Sequence, residues 1–217
     1  MMKIKKKLNN NAVLTILNDQ EVIVRGKGIG FQKKENEEID LKKIEKTYHL
    51  SNNDFQSRFV ELLHQIPSGY LEMADTAIEY GKEKLKSSLN ESIYVTLTDH
   101  LFMAIERFKE GIPIDNGSLW EIRKYYPIEY EIGLYTLSII KQEFDLKLPN
   151  DEAGFIALHF VNASMDTTES LNMFKVTKMI TDMANIVKYT LNLTVDEESV
   201  YYFRFITHLR FFSLRVL

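Results

Sequence analysis

With 217 residues, 45% of them apolar and 27% charged, and a net charge of −4, the chain has the composition of a folded globular protein with room for two domains. It contains no apolar run long enough to span a bilayer, no apolar stretch behind its basic N-terminus and no cysteine. These features argue against a membrane span, a secretory signal, disulfides and thiolate metal sites, and they predict a cytoplasmic protein.

The first fifty residues have the alternating or β-branched patterns of short strands. The predicted strands are KIKKKL (3–8), AVLTIL (12–17), EVIVR (21–25) and IEKTYHL (44–50). Asn18, Asp19 and Gln20 separate the second strand from the third and are typical of a hairpin turn. We therefore predict a small antiparallel sheet. A sheet of this size buries little apolar surface by itself, so we expect it to dimerise through one face.

From about residue 54 the apolar spacing becomes that of amphipathic helices. The predicted helices cover residues 55–66, 70–88, 93–110, 118–124, 128–145, 151–164, 171–191 and 196–215. Asn150 or Asp151 is the expected N-cap of the sixth helix, and the polar residues 162–170 are expected to form a break after it. The predicted fold is an α+β multidomain protein, in which the sheet precedes an all-α helical bundle and a partial second bundle.

The segment GKGIG (26–30) resembles a dinucleotide-binding loop only superficially. It lacks the spacing G-x-G-x-x-G, no amphipathic helix follows it, and the pattern G-x-x-x-x-G-K-[ST] occurs nowhere in the chain. No nucleotide or other cofactor is therefore predicted. The alternative is a glycine-rich bulge or turn, which would leave a surface that another backbone can approach closely.

Charge is divided unevenly along the chain. Residues 1–34 hold eight Lys or Arg and two acids, a net of +6, whereas residues 51–217 hold 16 basic and 24 acidic residues, a net of −8. This division predicts a basic module that meets an anion, joined to an acidic body with another role. A solvated basic face is the alternative.

The basic segment also contains the side chains that RNA recognition uses. Asn9, Asn10 and Asn11 offer amide donors and acceptors for base edges, and Phe31 offers a ring on which a base can stack. The neighbouring lysines would bind phosphates. Because no recognition helix accompanies them, the pattern favours RNA over the major groove of DNA. Taken singly, each asparagine is also compatible with an ordinary turn.

The chain has five histidines, and their surroundings do not favour a metal centre or catalysis. No histidine or carboxylate lies four residues from His100 or His159, and no serine or cysteine nucleophile motif accompanies any histidine. We therefore predict no catalytic residue and no metal site. From the residues alone, His100, His159 and His208 are also compatible with hydrogen-bonded histidines on the face of a bundle.

Several segments together resemble the BglG/SacY/LicT-type transcriptional antiterminators. LNNNAVLTI, VIVRGKGIGFQKK and IDLKKIEKTYHL are similar to the co-antiterminator RNA-binding domain. LTDHLFMAIER and LPNDEAGFIALHFVNA are similar to the two histidine motifs of the first phosphotransferase-system regulation domain. SVYYFRFITHLRFF is similar to the first histidine motif of the second such domain. The resemblance implies domains at 1–55 and 65–170 and an incomplete second regulation domain at 171–217, because the chain ends soon after His208.

The resemblance also implies particular functional residues. The expected RNA-binding residues are Lys6, Asn9, Asn10, Asn11, Gly26, Lys27, Gly28, Phe31 and Gln32. The expected phosphorylation sites are His100, His159 and His208, and Asp99 would support the first of these rings and fix its tautomer.

By this resemblance, the chain is a homodimeric, sugar-responsive antiterminator and not an enzyme. It would bind a hairpin in a leader mRNA and prevent a terminator from forming, without binding DNA or inserting into a membrane. The sugar permease and the phosphocarrier protein of the phosphotransferase system would be its transient phosphoryl donors. Two other hypotheses remain open at this point, namely a helical dimerisation or protein-interaction regulator that binds no RNA, and a helical metal phosphohydrolase.

Overall fold

The computed structural model describes residues 2–49, 53–164, 167–191 and 199–216. They divide into two compact units, of which unit 1 comprises Met1–Thr76 with Glu91–Met103 and unit 2 comprises Ala77–Asn90 with Ala104–Leu217. The α+β prediction is confirmed, since a four-stranded sheet precedes a region of helices. None of the helices in the described ranges combines the length and the apolar character that a membrane span needs.

The strands and helices follow the predicted order. The strands are β1 (Ile4–Lys7), β2 (Ala12–Leu17), β3 (Gln20–Arg25) and β4 (Lys46–Tyr48), with a short 3-10 helix at Leu41–Lys43. The helices are α1 (Asn53–Gln65), α2 (Ser68–Leu85), α3 (Ser92–Lys109), α4 (Leu119–Tyr125), α5 (Pro127–Phe144), α6 (Asn150–Ser164), α7 (Thr167–Thr190) and α8 (Val200–Val216).

The sheet is antiparallel, in the order β1-β2-β3-β4. Asn18 and Asp19 both have positive φ, of 51° and 61°, as a tight hairpin turn between β2 and β3 requires. In both central strands, successive buried residues point to opposite faces, so the two faces of the sheet are covered. One face packs into a cluster of Ile4, Val13, Val22, Val24, Ile29 and Ile39.

The opposite face of the sheet is covered by helices of the same unit. Tyr48 lies in register with Ile23, and its ring makes edge contacts with Phe59 of α1 and Tyr94 of α3, with centroids 5.3 and 5.1 Å apart. Leu63 of α1 is buried as well. We expected a second copy of the chain to bury one face of the sheet. Helices of unit 1 bury that face instead, and dimerisation stays a prediction.

Unit 2 is built around the close packing of α5 and α6. Gly133 of α5 lies against the backbone of Ala153, where a Cβ atom would overlap the carbonyl oxygen. Phe160 of α6 is fully buried. Val176 and Ile180 of α7 and Ile206 of α8 form a separate cluster, with Trp120 packed against it.

Some predicted boundaries were wrong, and others lie partly outside the described residues. Helix α6 begins at Asn150, so both candidate N-caps lie inside its first turn, and Asp151 instead accepts a hydrogen bond from the Asn116 N–H at 2.8 Å. The predicted polar break at 162–170 is mostly helical, because α6 continues to Ser164 and α7 starts at Thr167. Serine and threonine lower helix propensity only modestly and are common at helix ends. Residue 50 of the predicted strand 44–50 and residues 196–198 of the predicted helix 196–215 lie outside the described residues.

Candidate functional site

The loop before β2 and the turn after β3 are joined by backbone hydrogen bonds. The Gly26 N–H donates to the Asn11 carbonyl oxygen at 2.9 Å, and the Gly30 N–H donates to the Asn10 carbonyl oxygen at 3.0 Å. The Gly28 N–H donates to the Asn11 side-chain oxygen at 2.9 Å. Residues 9–11 and 26–32 therefore form one structure, which we name the asparagine–glycine edge.

All three glycines of this edge are dictated by geometry, and a Cβ atom on Gly26 would overlap the carbonyl oxygen of Lys43. Gly28 has a φ of +66°, which side chains rarely adopt, and a Cβ atom on Gly30 would overlap the carbonyl oxygen of Asn9. The interpretation of GKGIG as a glycine-rich turn fits this geometry. The same turn buries Ile29 and leaves Lys27, Phe31 and Gln32 exposed.

The three consecutive asparagines have different environments. The Asn9 side-chain oxygen accepts from the Asn11 N–H at 2.8 Å, and its amide donates to the Leu63 carbonyl oxygen at 3.0 Å. The Asn11 amide donates to Ser68 Oγ at 3.1 Å. The side chain of Asn10 is exposed and makes no hydrogen bond with any described residue. Asn9 and Asn11 therefore hold the edge in shape, while Asn10 faces solvent.

Exposed side chains beside Asn10 give the edge a surface suited to an RNA strand. Phe31 is 57% exposed, although aromatic rings are usually buried. Lys27 and Gln32 are exposed too, and Gln32 is held at a positive φ of 54°. An exposed ring, two amides and a lysine can stack on a base, hydrogen-bond to its edge and neutralise a phosphate.

Lys6 is the one predicted RNA-binding residue that lies outside this edge. It is exposed on β1 opposite Leu14 and lines a groove of about 990 Å³. The groove lies between the β2–β3 hairpin and α1, and it is also lined by Leu14, Asp19, Gln20, Glu21, His49, Gln56, Ser57, Val60, Glu61 and His64.

A cluster of charges on the sheet was missed by the sequence analysis. The buried Asp75 of α2 lies 3.2 Å from Arg25 Nε and 3.0 Å from Lys46 Nζ, and it accepts a hydrogen bond of 2.6 Å from the Tyr48 hydroxyl. Glu45 and Glu72 contact the Arg25 guanidinium at 3.3 and 3.7 Å. The sequence did contain one sign of this cluster. Asp75 lies four residues after the buried Leu71, so this acid falls on the apolar stripe of a helix, where a charged residue needs a partner.

Burial and the Asp75 carboxylate together set the protonation of this cluster. Burial and the neighbouring carboxylate raise the pKa of Tyr48 far above its usual range, so Tyr48 remains a neutral hydrogen-bond donor. Burial lowers the pKa of Arg25, but the net shift is upward, and the neighbouring Asp75 and Glu45 carboxylates favour its charged form. Arg25 is therefore a permanent cation at the end of β3.

The predicted phosphorylation sites lie on three different helices. His100 is half-buried on α3 beside the exposed Asp99, His159 is half-buried on α6, and His208 is exposed on α8. Within unit 2, the buried Glu152 of α6 accepts a hydrogen bond from Arg107 at 3.0 Å. Among the described residues, no group of three or more potential ligands is arranged to hold a metal ion.

The fold and these side chains define a class of protein, an RNA-binding regulator in which a basic β domain precedes a histidine-bearing helical region. Comparison with known families supports this class. The CAT RNA binding domain matches residues 2–57, and the PRD domain matches residues 75–163.

The relatives and a solved structure agree with the family matches. The chain is 43% identical to transcription antiterminator LicT of Bacillus subtilis (strain 168) over 217 residues, covering 99% of this chain and 78% of LicT. It is 43% identical to the beta-glucoside operon antiterminator of Dickeya chrysanthemi, covering 100% of this chain and 76% of the relative. A crystal structure of GlcT CAT-PRDI superimposes with a TM-score of 0.67 at 35% identity, covering 76% of this chain and 99% of GlcT CAT-PRDI. The chain therefore belongs to the family of transcriptional antiterminators that combine a CAT RNA-binding domain with a PRD domain.

Proposed function

We propose that this chain is a sugar-responsive transcriptional antiterminator that binds a hairpin in a leader mRNA and thereby prevents a terminator from forming. The observation that carries the proposal is the asparagine–glycine edge, where Asn10, Lys27, Phe31 and Gln32 are exposed on a hydrogen-bonded frame. A rigid frame with exposed amides and a ring suits the unpaired bases of an RNA hairpin better than a DNA groove.

The predicted RNA-binding residues take different roles in this proposal. Asn10 and Gln32 hydrogen-bond to base edges, Phe31 stacks on a base, and Lys27 binds a phosphate. Asn9, Asn11, Gly26 and Gly28 shape the edge so that the RNA backbone can approach it. Lys6 adds a positive charge from the neighbouring strand.

Control by phosphorylation forms the second part of the proposal. His100 and His159 belong to the first regulation domain (65–170), and His208 belongs to the second one (171–217), while the RNA-binding domain spans 1–55. The phosphotransferase-system permease and phosphocarrier protein donate the phosphoryl groups, and Asp99 orients the His100 ring. The protein acts as a homodimer, has no catalytic residue of its own and needs no cofactor.

The RNA proposal is tested by measuring the affinity of the full chain for the leader RNA of the sugar operon beside its gene. Because base stacking contributes about 1–3 kcal/mol per base, Phe31→Ala should weaken binding about fivefold or more. Asn10→Ala should also weaken binding, since it removes an amide from a base edge. Leu41→Ala is the matched control, because Leu41 is 63% exposed in the same domain but lies outside the edge.

The salt dependence of binding separates this proposal from a protein-interaction regulator. Phosphate contacts make RNA affinity fall steeply as salt rises. If the parent chain binds no RNA, the interaction regulator becomes the better hypothesis. If the chain binds RNA but Phe31→Ala and Asn10→Ala bind it as well as the parent, the asparagine–glycine edge is not the RNA-binding surface.

A further inference from the structure

We infer that Arg25 and Lys46 are further phosphate-binding residues of the asparagine–glycine edge, and that α1 and α2 compete with RNA for this edge. The inference rests on the proposed RNA-binding function. It assigns two residues that lie outside the predicted RNA-binding set, and it gives the helices of unit 1 an inhibitory role.

The position of the two cations supports the first part. Arg25 directly precedes Gly26 and pairs with Ala12, the residue after Asn11, while Lys46 pairs with Arg25 on the next strand. Both side chains therefore lie at the strand ends from which the asparagine–glycine edge emerges. A phosphate of an RNA bound to the edge would lie within reach of long basic side chains at this position.

The contacts of Asp75 show that the two cations already converge on an anion. The Asp75 carboxylate lies 3.2 Å from Arg25 Nε and 3.0 Å from Lys46 Nζ. Carboxylate and phosphate oxygens are bound by the same charged donors, and arginine suits both in particular. In this arrangement the Asp75 carboxylate occupies the place that we assign to an RNA phosphate.

The asparagine amides are engaged by the same pair of helices. Asn9 donates to the Leu63 carbonyl oxygen at the end of α1, and Asn11 donates to Ser68 Oγ at the start of α2. We name Leu63, Ser68 and Asp75 the helical clamp. These hydrogen bonds hold α1 and α2 against the edge, where the two helices exclude an RNA strand, so RNA binding at full strength requires α1 and α2 to leave the sheet.

Helix α1 can be attached covalently to the sheet through two introduced cysteines, because the chain has no cysteine of its own that would react as well. The Gln56 amide on α1 donates to the Glu21 carboxylate on β3 at 3.2 Å, outside the asparagine–glycine edge. A Glu21→Cys/Gln56→Cys chain treated with a short bismaleimide would therefore hold α1 on the sheet. Glu21 also pairs with Ile16 across the hairpin, so an Ile16→Cys/Glu21→Cys chain gives a matched cross-link that leaves α1 unattached.

The probe is a stem-loop RNA selected from a randomised pool with the uncross-linked Glu21→Cys/Gln56→Cys full chain. Cross-linking this chain should weaken RNA binding at least about tenfold, because the binding-competent state is no longer populated. Cross-linking the Ile16→Cys/Glu21→Cys chain should leave affinity unchanged. Equal affinity before and after cross-linking of both chains would overturn the competition. Failure to select any stem-loop would instead count against the proposed function.

The salt dependence tests the two cations separately. Arg25→Gln and Lys46→Gln should each reduce the slope of log affinity against log salt by about one, since each removes a phosphate contact. Asp75→Asn should raise RNA affinity by weakening the clamp. If Arg25→Gln and Lys46→Gln lower only the stability of the fold and leave the slope of log affinity against log salt unchanged, the cluster only stabilises the fold. The assignment of the two residues to phosphate binding is then wrong.

Discussion

At the scale of single residues, the asparagine–glycine edge shows how identical side chains acquire different roles. Asn9 and Asn11 satisfy backbone groups and anchor helices through their amides, whereas Asn10 between them is exposed. The sequence predicted that the triplet was polar surface chemistry. It did not separate the three roles, because the partners Leu63 and Ser68 are more than fifty residues away.

This difference predicts that the stabilities of two neighbouring alanine variants will differ. Asn11→Ala should lower the free energy of unfolding by about 1–3 kcal/mol, because it leaves the Gly28 N–H without its acceptor in a half-buried site. Asn10→Ala should change the free energy of unfolding by less than about 0.5 kcal/mol, as exposed substitutions usually do. Urea unfolding of the full chain measures both. Equal losses in the two variants would show that the edge is not held by Asn11.

At the scale of elements, local sequence patterns predicted much of the fold. The strand AVLTIL was predicted at the observed residues, and Asn18 and Asp19 turn the chain as their backbone preferences indicated. These features depend on neighbours in the sequence. The docking of α1 on the sheet and the Asp75 cluster depend on pairs of residues far apart in the sequence, and no local period encodes them.

The α5–α6 packing gives a test at the same scale. Gly133→Ala should destabilise the protein by about 1–3 kcal/mol, because the added methyl overlaps the Ala153 backbone and neither helix can yield easily. Gly69→Ala on α2 is the matched control, since nothing lies within 4 Å of its Cβ position. Alanine is the better helix former, so this change should be neutral or stabilising by up to about 1 kcal/mol. Thermal unfolding followed by circular dichroism compares the two, and a loss of similar size in both would contradict the packing argument.

At the scale of the whole molecule, the basic N-terminal segment already meets acidic helix residues within unit 1, at Asp75 and Glu72. The uneven charge distribution was visible in the sequence, but the particular partners were not. The sheet face that carries Tyr48 is also covered by α1 and α3. A homodimer built on that face would require α1 and α3 to leave it. Because RNA binding also requires α1 to leave the sheet, dimerisation and RNA binding would favour one another.

The proposed histidine control acts on the molecule as a whole and is tested in cells. A phosphoryl group adds roughly −1.5 to −2 charges, and reversing a two-state population from 1:99 to 99:1 requires about 5.5 kcal/mol. Such a charge on the half-buried His100 of α3 would be costly without a new partner, so we expect phosphorylation there to favour the inactive state. His100→Ala should then leave a leader-controlled reporter expressed with and without the sugar. His64→Ala, on the exposed side of α1, should keep the parent's response to the sugar. A His100→Ala reporter that is still silenced without sugar would contradict control through this residue.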